Sequence, residues 1–102
     1  MKRVARFGLP LPKEGIEYAR FSLYLPSYHQ VVKVGILGYY TTPSLWILFD
    51  GEDTLKTNVN FFVCSTNTLL PKDVALTHVG TFANLCAGKE TIWHVFELIG
   101  SY

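Results

Sequence analysis

Short apolar runs separated by turn residues follow one another along the whole chain. Two of them, Ser44–Asp50 and Thr91–Leu98, hold both tryptophans and are rich in aromatic and β-branched side chains. Runs this short and this apolar are typical of strands covered on both faces. In a chain of 102 residues, a second copy of the protein can supply part of that cover. We therefore expect a β domain that assembles, with Trp46 and Trp93 in the core or in a subunit contact.

Further segments have the composition of strands, and no stretch of ten or more residues repeats its apolar positions with the period of a helix. Besides Ser44–Asp50, the predicted strands are Arg3–Phe7, Phe21–Leu25, Val31–Leu37, Asn58–Cys64, Leu76–Phe82 and Ile92–Leu98. The pattern predicts one all-β domain over residues 1–102. Its six or seven short strands are mostly antiparallel, in a barrel or sandwich, with at most a helical turn after Pro71.

Turn residues suggest how these strands are connected. Asp50–Asp53 begins with Asp-Gly, which supplies the positive φ that tight hairpin turns require. Asn58–Cys64 is therefore expected to pair with Ser44–Asp50. The last two strands are predicted to pair across Ala87–Glu90. Gly35 and Gly38 predict a bulge or a close backbone approach near the valine-rich strand.

Composition adds a second indication of assembly. Hydrophobic residues make up 49% of the chain and charged residues only 17%, against roughly 25% charged in typical domains. An aromatic-rich core is the alternative explanation. The formal net charge of +1 argues against a long nucleic acid as partner, since proteins that grip duplex DNA are usually basic. A small anionic ligand remains compatible with this charge.

The cysteines and the N-terminus exclude further classes. Cys64 and Cys86 lie far apart among apolar or small neighbours and are expected to be buried free thiols. Their spacing matches no metal site, and no metal or cofactor is predicted. Met1–Arg6 is followed by no apolar segment that would make a signal peptide or membrane span. The expected location is a reducing cytoplasm.

The titratable residues do not form a recognisable catalytic set. His78 and His94 lie in the two arms of the final hairpin and can be cross-strand neighbours, but no Asp or Glu has the context of a triad partner. His94 is in phase with apolar residues, which fits a core histidine bonded to backbone or tyrosine; a ligand or proton-relay role is the alternative. Asp50 and Glu97 are interpreted as solvated strand ends. We expect no enzymatic activity.

Three groups of residues could instead bind a ligand. Loop and turn donors lie beside a rigid sheet that fixes their spacing. The predicted ligand-binding residues are Ser65, Thr66 and Asn67 for phosphate or a base edge, Tyr39 or Tyr40 for base stacking, and Arg20 or Lys89 for charge. The alternatives are a local turn for the first group, a packing tyrosine pair for the second and solvated surface charges for the third.

Four motifs follow one another along the chain. They are a short strand with a Pro-flanked step, Val4–Leu11; the valine-rich strand Val31–Leu37; Leu-Trp-x-Leu-x-Asp at Leu45–Asp50; and Gly80-Thr81-Phe82 followed by Trp93-His94-Val95-Phe96-Glu97. In this order of motifs the chain resembles a family of small phage proteins long labelled as of unknown function. The family usually has a Thr-Gly-His step after its middle hairpin. Ser65–Thr68 stands there in this chain, so no role is carried over from that histidine.

Members of that family look similar to the anti-CBASS sponges with which phages sequester cyclic nucleotide signals. The resemblance implies a homo-oligomer, a dimer or tetramer, that binds a cyclic nucleotide in the host cytoplasm without cleaving it. A cyclic dinucleotide such as 3'3'-cGAMP is the foremost candidate. The alternative is an interaction module that binds a host or phage protein through exposed apolar β surface.

Overall fold

The structure, a computed structural model, is all-β. It describes residues 1–13, 16, 18–36, 42–86 and 88–101, and the side chains of these except for residues 85, 86, 89 and 101. Seven strands form in this part of the chain. They are β1 (Lys2–Gly8), β2 (Tyr18–Pro26), β3 (His29–Gly35), β4 (Ser44–Asp50), β5 (Lys56–Ser65), β6 (Val74–Cys86) and β7 (Lys89–Ser101). The all-β prediction is confirmed, while the residues after Pro71 form a turn and no helix.

The strands form two antiparallel sheets that pack face to face. Sheet A has the order β1-β4-β3, and sheet B has the order β2-β5-β7-β6. Ser44–Asp50 is the central strand of sheet A, with β1 and β3 hydrogen-bonded to its two edges. The last two strands pair as the predicted hairpin, with Cys86 opposite Lys89. Gly88 within this turn has a φ of 78°, a backbone conformation that glycine adopts without strain.

The predicted pairing of Asn58–Cys64 with Ser44–Asp50 is wrong. β4 pairs with β1 and β3, whereas β5 pairs with β2 and β7 in the other sheet. A turn does form at Asp50, whose carbonyl accepts a hydrogen bond from the Asp53 amide at 3.2 Å. The chain then continues through Leu55 before β5 begins, which gives it the length to cross from one sheet to the other. Asp-Gly therefore marks a turn here without making a hairpin.

The core lies between the two sheets. Apart from Leu9, its buried side chains come from alternate positions of the strands, as a pleated sheet requires. They are Leu9, Leu25, Leu45, Ile47, Val59, Phe61, Val63, Phe82 and Val95. Trp93 packs against this cluster, so its predicted structural position is confirmed. Trp46 has the opposite phase from Leu45 and Ile47 and lies, half-buried, on the outer face of sheet A.

The two sheets approach each other closely where β3 meets β6. A Cβ atom built on Gly80 would lie 2.4 Å from a Val34 methyl carbon, so only glycine fits at this position. The predicted irregularity of β3 exists, but the pairing register shifts at Val32. A Cβ atom built on Gly35 would lie 3.9 Å from the Phe82 Cβ, an ordinary contact distance, and Gly38 lies outside the described residues. The close approach thus depends on a glycine of β6.

A polar pair also connects the two sheets. His29 Nε2 lies 2.8 Å from Glu97 Oε1, and His29 Nδ1 lies 2.8 Å from the Pro26 carbonyl oxygen. The side chains are only 9% and 21% exposed. Both ring nitrogens of His29 therefore have a hydrogen-bonding partner. The interpretation of Glu97 as a solvated strand end is therefore wrong, because its side chain turns inward from β7.

Candidate functional site

Two histidines and two threonines form a continuous hydrogen-bonded chain on the outer face of sheet B, the face turned away from sheet A. Thr66 Oγ1 lies 2.8 Å from His94 Nε2, and His94 Nδ1 lies 3.2 Å from Thr81 Oγ1. Thr81 Oγ1 in turn lies 2.8 Å from His78 Nε2. We refer to these four residues as the hydroxyl–imidazole chain.

The strands bring these residues together from three distant parts of the sequence. β5 ends beside Thr66, β7 carries His94, and β6 carries both Thr81 and His78. His94 pairs directly with Thr81, and Val95, its neighbour, points into the core. The register shift between His78 and Gly80 returns His78 to the face that Thr81 occupies. This bulge is what places both histidines on one surface.

The hydroxyl–imidazole chain admits two orientations of its protons when both rings are neutral. A neutral imidazole has one N–H donor and one acceptor nitrogen, and a hydroxyl donates once. In one orientation His78 donates to Thr81, Thr81 to His94, and His94 to Thr66, whose own O–H then points away from the chain. In the other, every bond is reversed and His78 Nδ1 carries the outward donor. Either way a polar donor is presented at one end.

An apolar and aromatic layer borders the chain on the same face. Phe62 is 1% exposed although it lies outside the inter-sheet core. The Tyr18 ring covers it at a centroid distance of 5.4 Å, and the Arg20 guanidinium lies 5.6 Å from its centroid. The Phe96 ring meets the edge of His78 at 5.4 Å. The face therefore combines ring surfaces, a cation and neutral hydrogen-bonding groups.

Cys64 lies in this layer, opposite Tyr18 on one side and His94 on the other. It is a free thiol and only 4% exposed, as predicted. Burial raises the pKa of the Cys64 thiol above its usual value, because removal from water disfavours the thiolate. Cys86 belongs to β6, but its side chain lies outside the described residues.

We expect Cys64 to react slowly with Ellman's reagent in the folded protein. Since the thiolate is the nucleophile, a raised pKa and burial should both lower the rate, by about tenfold or more at pH 8 relative to the chain in urea. The measurement uses Cys86→Ser protein, so that only one thiol reports. The rate should rise as the pH approaches the raised pKa. Equal rates in folded and unfolded protein would contradict the buried position.

The structure divides the predicted donor loop between two roles. Thr66 joins the hydroxyl–imidazole chain. Ser65 Oγ instead lies 3.0 Å from Thr68 Oγ1, and the Thr68 amide donates to the Ser65 carbonyl at 3.3 Å. Asn67 has a φ of 71°, a left-handed conformation that Asn tolerates better than most residues. Ser65 and Asn67 therefore build the turn that presents Thr66.

The other predicted ligand residues are distributed unevenly around this site. Arg20 lies on the same face as Thr66. It pairs with Phe62, four residues before Thr66, which places it about 14 Å away along the strand. The backbone of Lys89 opens β7, but its side chain lies outside the described residues. Tyr39 and Tyr40 lie outside them as well.

Sequence reasoning missed part of the site. The interpretation of His94 as a core histidine bonded to backbone or tyrosine is wrong, because the ring lies on the outer face between two threonine hydroxyls. The cross-strand relation of His78 and His94 is confirmed, with ring centroids 6.5 Å apart. In the sequence, Thr81 stands out only as part of the Gly80-Thr81-Phe82 motif. Antiparallel pairing of this motif with Trp93-His94 places Thr81 opposite His94, and this was the available signal.

In the described part of the chain, no group of three or more His, Cys, Asp or Glu side chains is placed to hold a metal ion. None of the described segments is a helix of the length and apolar character needed to cross a membrane.

Comparison with known proteins relates the chain to one domain family. No curated protein matches the chain, and no solved structure matches it. A family model described as a domain of unknown function, DUF7352, matches residues 1–101. This match spans both sheets and every residue of the hydroxyl–imidazole chain. The chain therefore belongs to the DUF7352 family, a domain of unknown function.

Proposed function

We propose that this protein binds a cyclic nucleotide second messenger on the outer face of sheet B and holds it without cleaving it. A phage protein that sequesters an immune signal such as 3'3'-cGAMP in the host cytoplasm would act in this way. The observation that carries the proposal is the hydroxyl–imidazole chain, a run of hydrogen-bonding groups beside ring surfaces and a cation.

The donors of the chain suit the phosphate oxygens of a nucleotide. Phosphate oxygens accept hydrogen bonds from hydroxyls and from imidazole N–H groups. In either proton orientation the chain presents one outward donor to a ligand oxygen, the Thr66 hydroxyl or the His78 Nδ1–H. Bonds to an ionised acceptor are stronger than bonds between neutral groups. A near-neutral protein can therefore hold one small anion.

The remaining features of the face suit the base and the charge of the same ligand. Base stacking on an aromatic ring contributes roughly 1–3 kcal/mol, and Tyr18 and Phe96 offer rings on this face. Arg20, held over Phe62, supplies a fixed positive charge. Its separation from Thr66 of about 14 Å suits a ligand with two ends better than a single phosphate.

Retention without cleavage is supported by how the histidines are engaged. Hydrolysis of a phosphodiester needs a base that takes a proton from water and an acid that protonates the leaving oxygen. The His94 nitrogens both face threonine hydroxyls, and His78 Nε2 faces Thr81. Among the described residues neither ring contacts a carboxylate that would orient it. These contacts favour a binding role for the two rings.

The decisive test distinguishes a protein that holds the nucleotide intact from one that cleaves it. The purified protein is incubated with a panel of cyclic mono- and dinucleotides that includes 3'3'-cGAMP, separated from free ligand, and heat-denatured. Recovery of intact nucleotide at near-stoichiometric amounts is the expected result. Recovery of a linear product would replace the proposal with a hydrolase, and no nucleotide in any sample would contradict binding.

Thr66→Val should weaken nucleotide binding about ten- to a hundredfold. Valine keeps the shape of threonine and removes the hydroxyl, and loss of a hydrogen bond to a charged group costs about 1.5–3 kcal/mol. Thr57→Val, at the exposed opposite end of β5, is the matched control and should bind like the parent. Titration calorimetry measures both variants, with circular dichroism to confirm the fold. Equal affinity in the two variants would remove Thr66 from the site.

The outer face of sheet A supports a second candidate function, protein binding. Val4 and Val32 on this sheet are 53% and 47% exposed, and Tyr28 beside it is 90% exposed. Exposed apolar side chains on one sheet are a feature of interaction surfaces. A host or phage protein captured in stoichiometric amount from infected cells, with thermal stability indifferent to every nucleotide, would favour this function.

A further inference from the structure

β6 is an edge strand whose residues do not protect it against pairing with another strand. It lies at the end of sheet B, so its hydrogen-bonded neighbour is β7 on one side only. Natural proteins usually keep edge strands short or place charges and prolines in them. β6 is 13 residues long and contains no Asp, Glu, Lys, Arg or Pro. Uncharged strands rich in β-forming residues pair readily with further strands.

The other edge strands in the described part of the chain carry the protection that β6 lacks. Three of the seven residues of β1 are basic, and β3 contains Lys33. β2 contains Arg20 and ends in Pro26. These strands are also shorter than β6, at seven or nine residues. The contrast identifies the free edge of β6 as the edge best suited to pairing.

The second half of β6 presents a regular backbone at this edge. Register shifts interrupt its pairing with β7 between Ala75 and Leu76 and between His78 and Gly80, but none occurs from Gly80 to Cys86. We refer to the seven residues Gly80–Cys86 as the regular half of β6. Every second residue of a regular edge directs its N–H and C=O groups away from the sheet, so this half can accept another strand.

The connection from β5 to β6 does not cover the regular half. It begins beside Trp93, where β5 ends, and reaches β6 at Val74, beside Ser101. This short segment has to pass the length of β7 between these two residues. It therefore takes a direct path to the far end of β6 and does not run along Gly80–Cys86.

We propose that the regular half of β6 pairs with the same segment of a second copy, antiparallel and around a two-fold axis through Ala83. Such an axis makes an edge strand its own antiparallel partner. Ala83 is the middle residue of the regular half, so this register pairs all seven residues and forms about six to eight backbone hydrogen bonds. Because β6 has no Asp, Glu, Lys or Arg, no like charges meet across the contact.

This pairing also joins the outer faces of the two copies of sheet B. Thr81 lies two residues from Ala83 and on the same face. The Thr81 side chains of the two copies are then about 14 Å apart, from four residue steps along the strand and one strand spacing across it. The two hydroxyl–imidazole chains of the dimer thus lie on one continuous surface.

The test places charges at the two-fold axis, where Ala83 is exposed. Ala83→Lys should lower the dimer association constant about tenfold or more, because two like charges then directly face each other. Ala83→Glu should have the same effect. An equimolar mixture of the two variants sets lysine against glutamate and should dimerise again. Val4→Lys, at an exposed position of the edge strand β1, is the matched control and should associate like the parent.

Light scattering coupled to size exclusion gives the readout, with circular dichroism to confirm the fold of each variant. One strand edge is a small interface, so the mass is measured over a concentration series. The parent should approach twice the 11.5 kDa mass of one chain. A parent that keeps the mass of one chain would overturn the proposal. So would an oligomer that both variants leave intact, or a mixture that associates as weakly as each variant alone. No nucleotide is present, so the outcome is independent of the proposed function.

Discussion

Replacing Phe61 by alanine is expected to lower the free energy of unfolding by about 3–5 kcal/mol, a cost typical of aromatic truncation in a core. Phe61 is fully buried between the sheets. Its ring stacks on Phe21 at a centroid distance of 5.2 Å and an interplanar angle of 16°. Domains of this kind have about 5–15 kcal/mol of stability in total, so the variant should lose a large share of it.

Urea titration followed by circular dichroism measures this change, at one fixed protein concentration. Tyr24→Ala is the matched control, because Tyr24 is also an aromatic strand residue but is 65% exposed. Exposed substitutions usually change stability by about 0.5 kcal/mol or less. A similar midpoint shift in the two variants would contradict the position of the core between the sheets.

Gly80→Ala should destabilise the protein by about 1–3 kcal/mol, the usual cost of an added methyl group in a tightly packed site. The new Cβ would lie 2.4 Å from a Val34 methyl carbon and 2.6 Å from the Val34 Cβ. Valine has few alternative rotamers in a strand, so the two strands have to separate to admit the methyl group.

Val34→Gly provides the compensating change. It removes the Val34 Cβ and both methyl carbons that the new Cβ of Gly80→Ala would meet, so the double variant should lose less stability than the sum of the two single variants. Coupling of about 0.5–3 kcal/mol is typical of residues in contact. Strict additivity in urea titrations would show that the sheets do not approach each other at this point.

The sequence was most informative where turn residues bound a strand on both sides. Pro43 precedes Ser44–Asp50 and Gly51 follows it, and this predicted strand has the bounds of β4. β6 and β7 are each 13 residues long and exceed the predicted segments. Polar residues such as Thr91 and Asn84 interrupt their apolar runs without ending them, because one face of each strand is turned to solvent.

The pairing of β4 could not be predicted from its flanking turn. Asp-Gly is a local signal, whereas the sheet that a strand joins depends on which distant strands cover it. The same limit applies to the candidate site. Thr66 was visible as a hydroxyl after an apolar strand, but its partner His94 is 28 residues away. Only the register of β5, β7 and β6 connects them.

The proton positions in the hydroxyl–imidazole chain are linked, so the chain distinguishes ligands by which end donates and which end accepts a hydrogen bond. With neutral rings, an outward donor at Thr66 leaves His78 Nδ1 as an acceptor, and the reverse orientation exchanges the two ends. A ligand that accepts at one end and donates at the other fits one orientation throughout. A ligand with oxygen acceptors at both ends leaves one contact unmatched unless a further proton enters. The donor or acceptor character of one end of the chain is thereby fixed by that of the other end, across three strands.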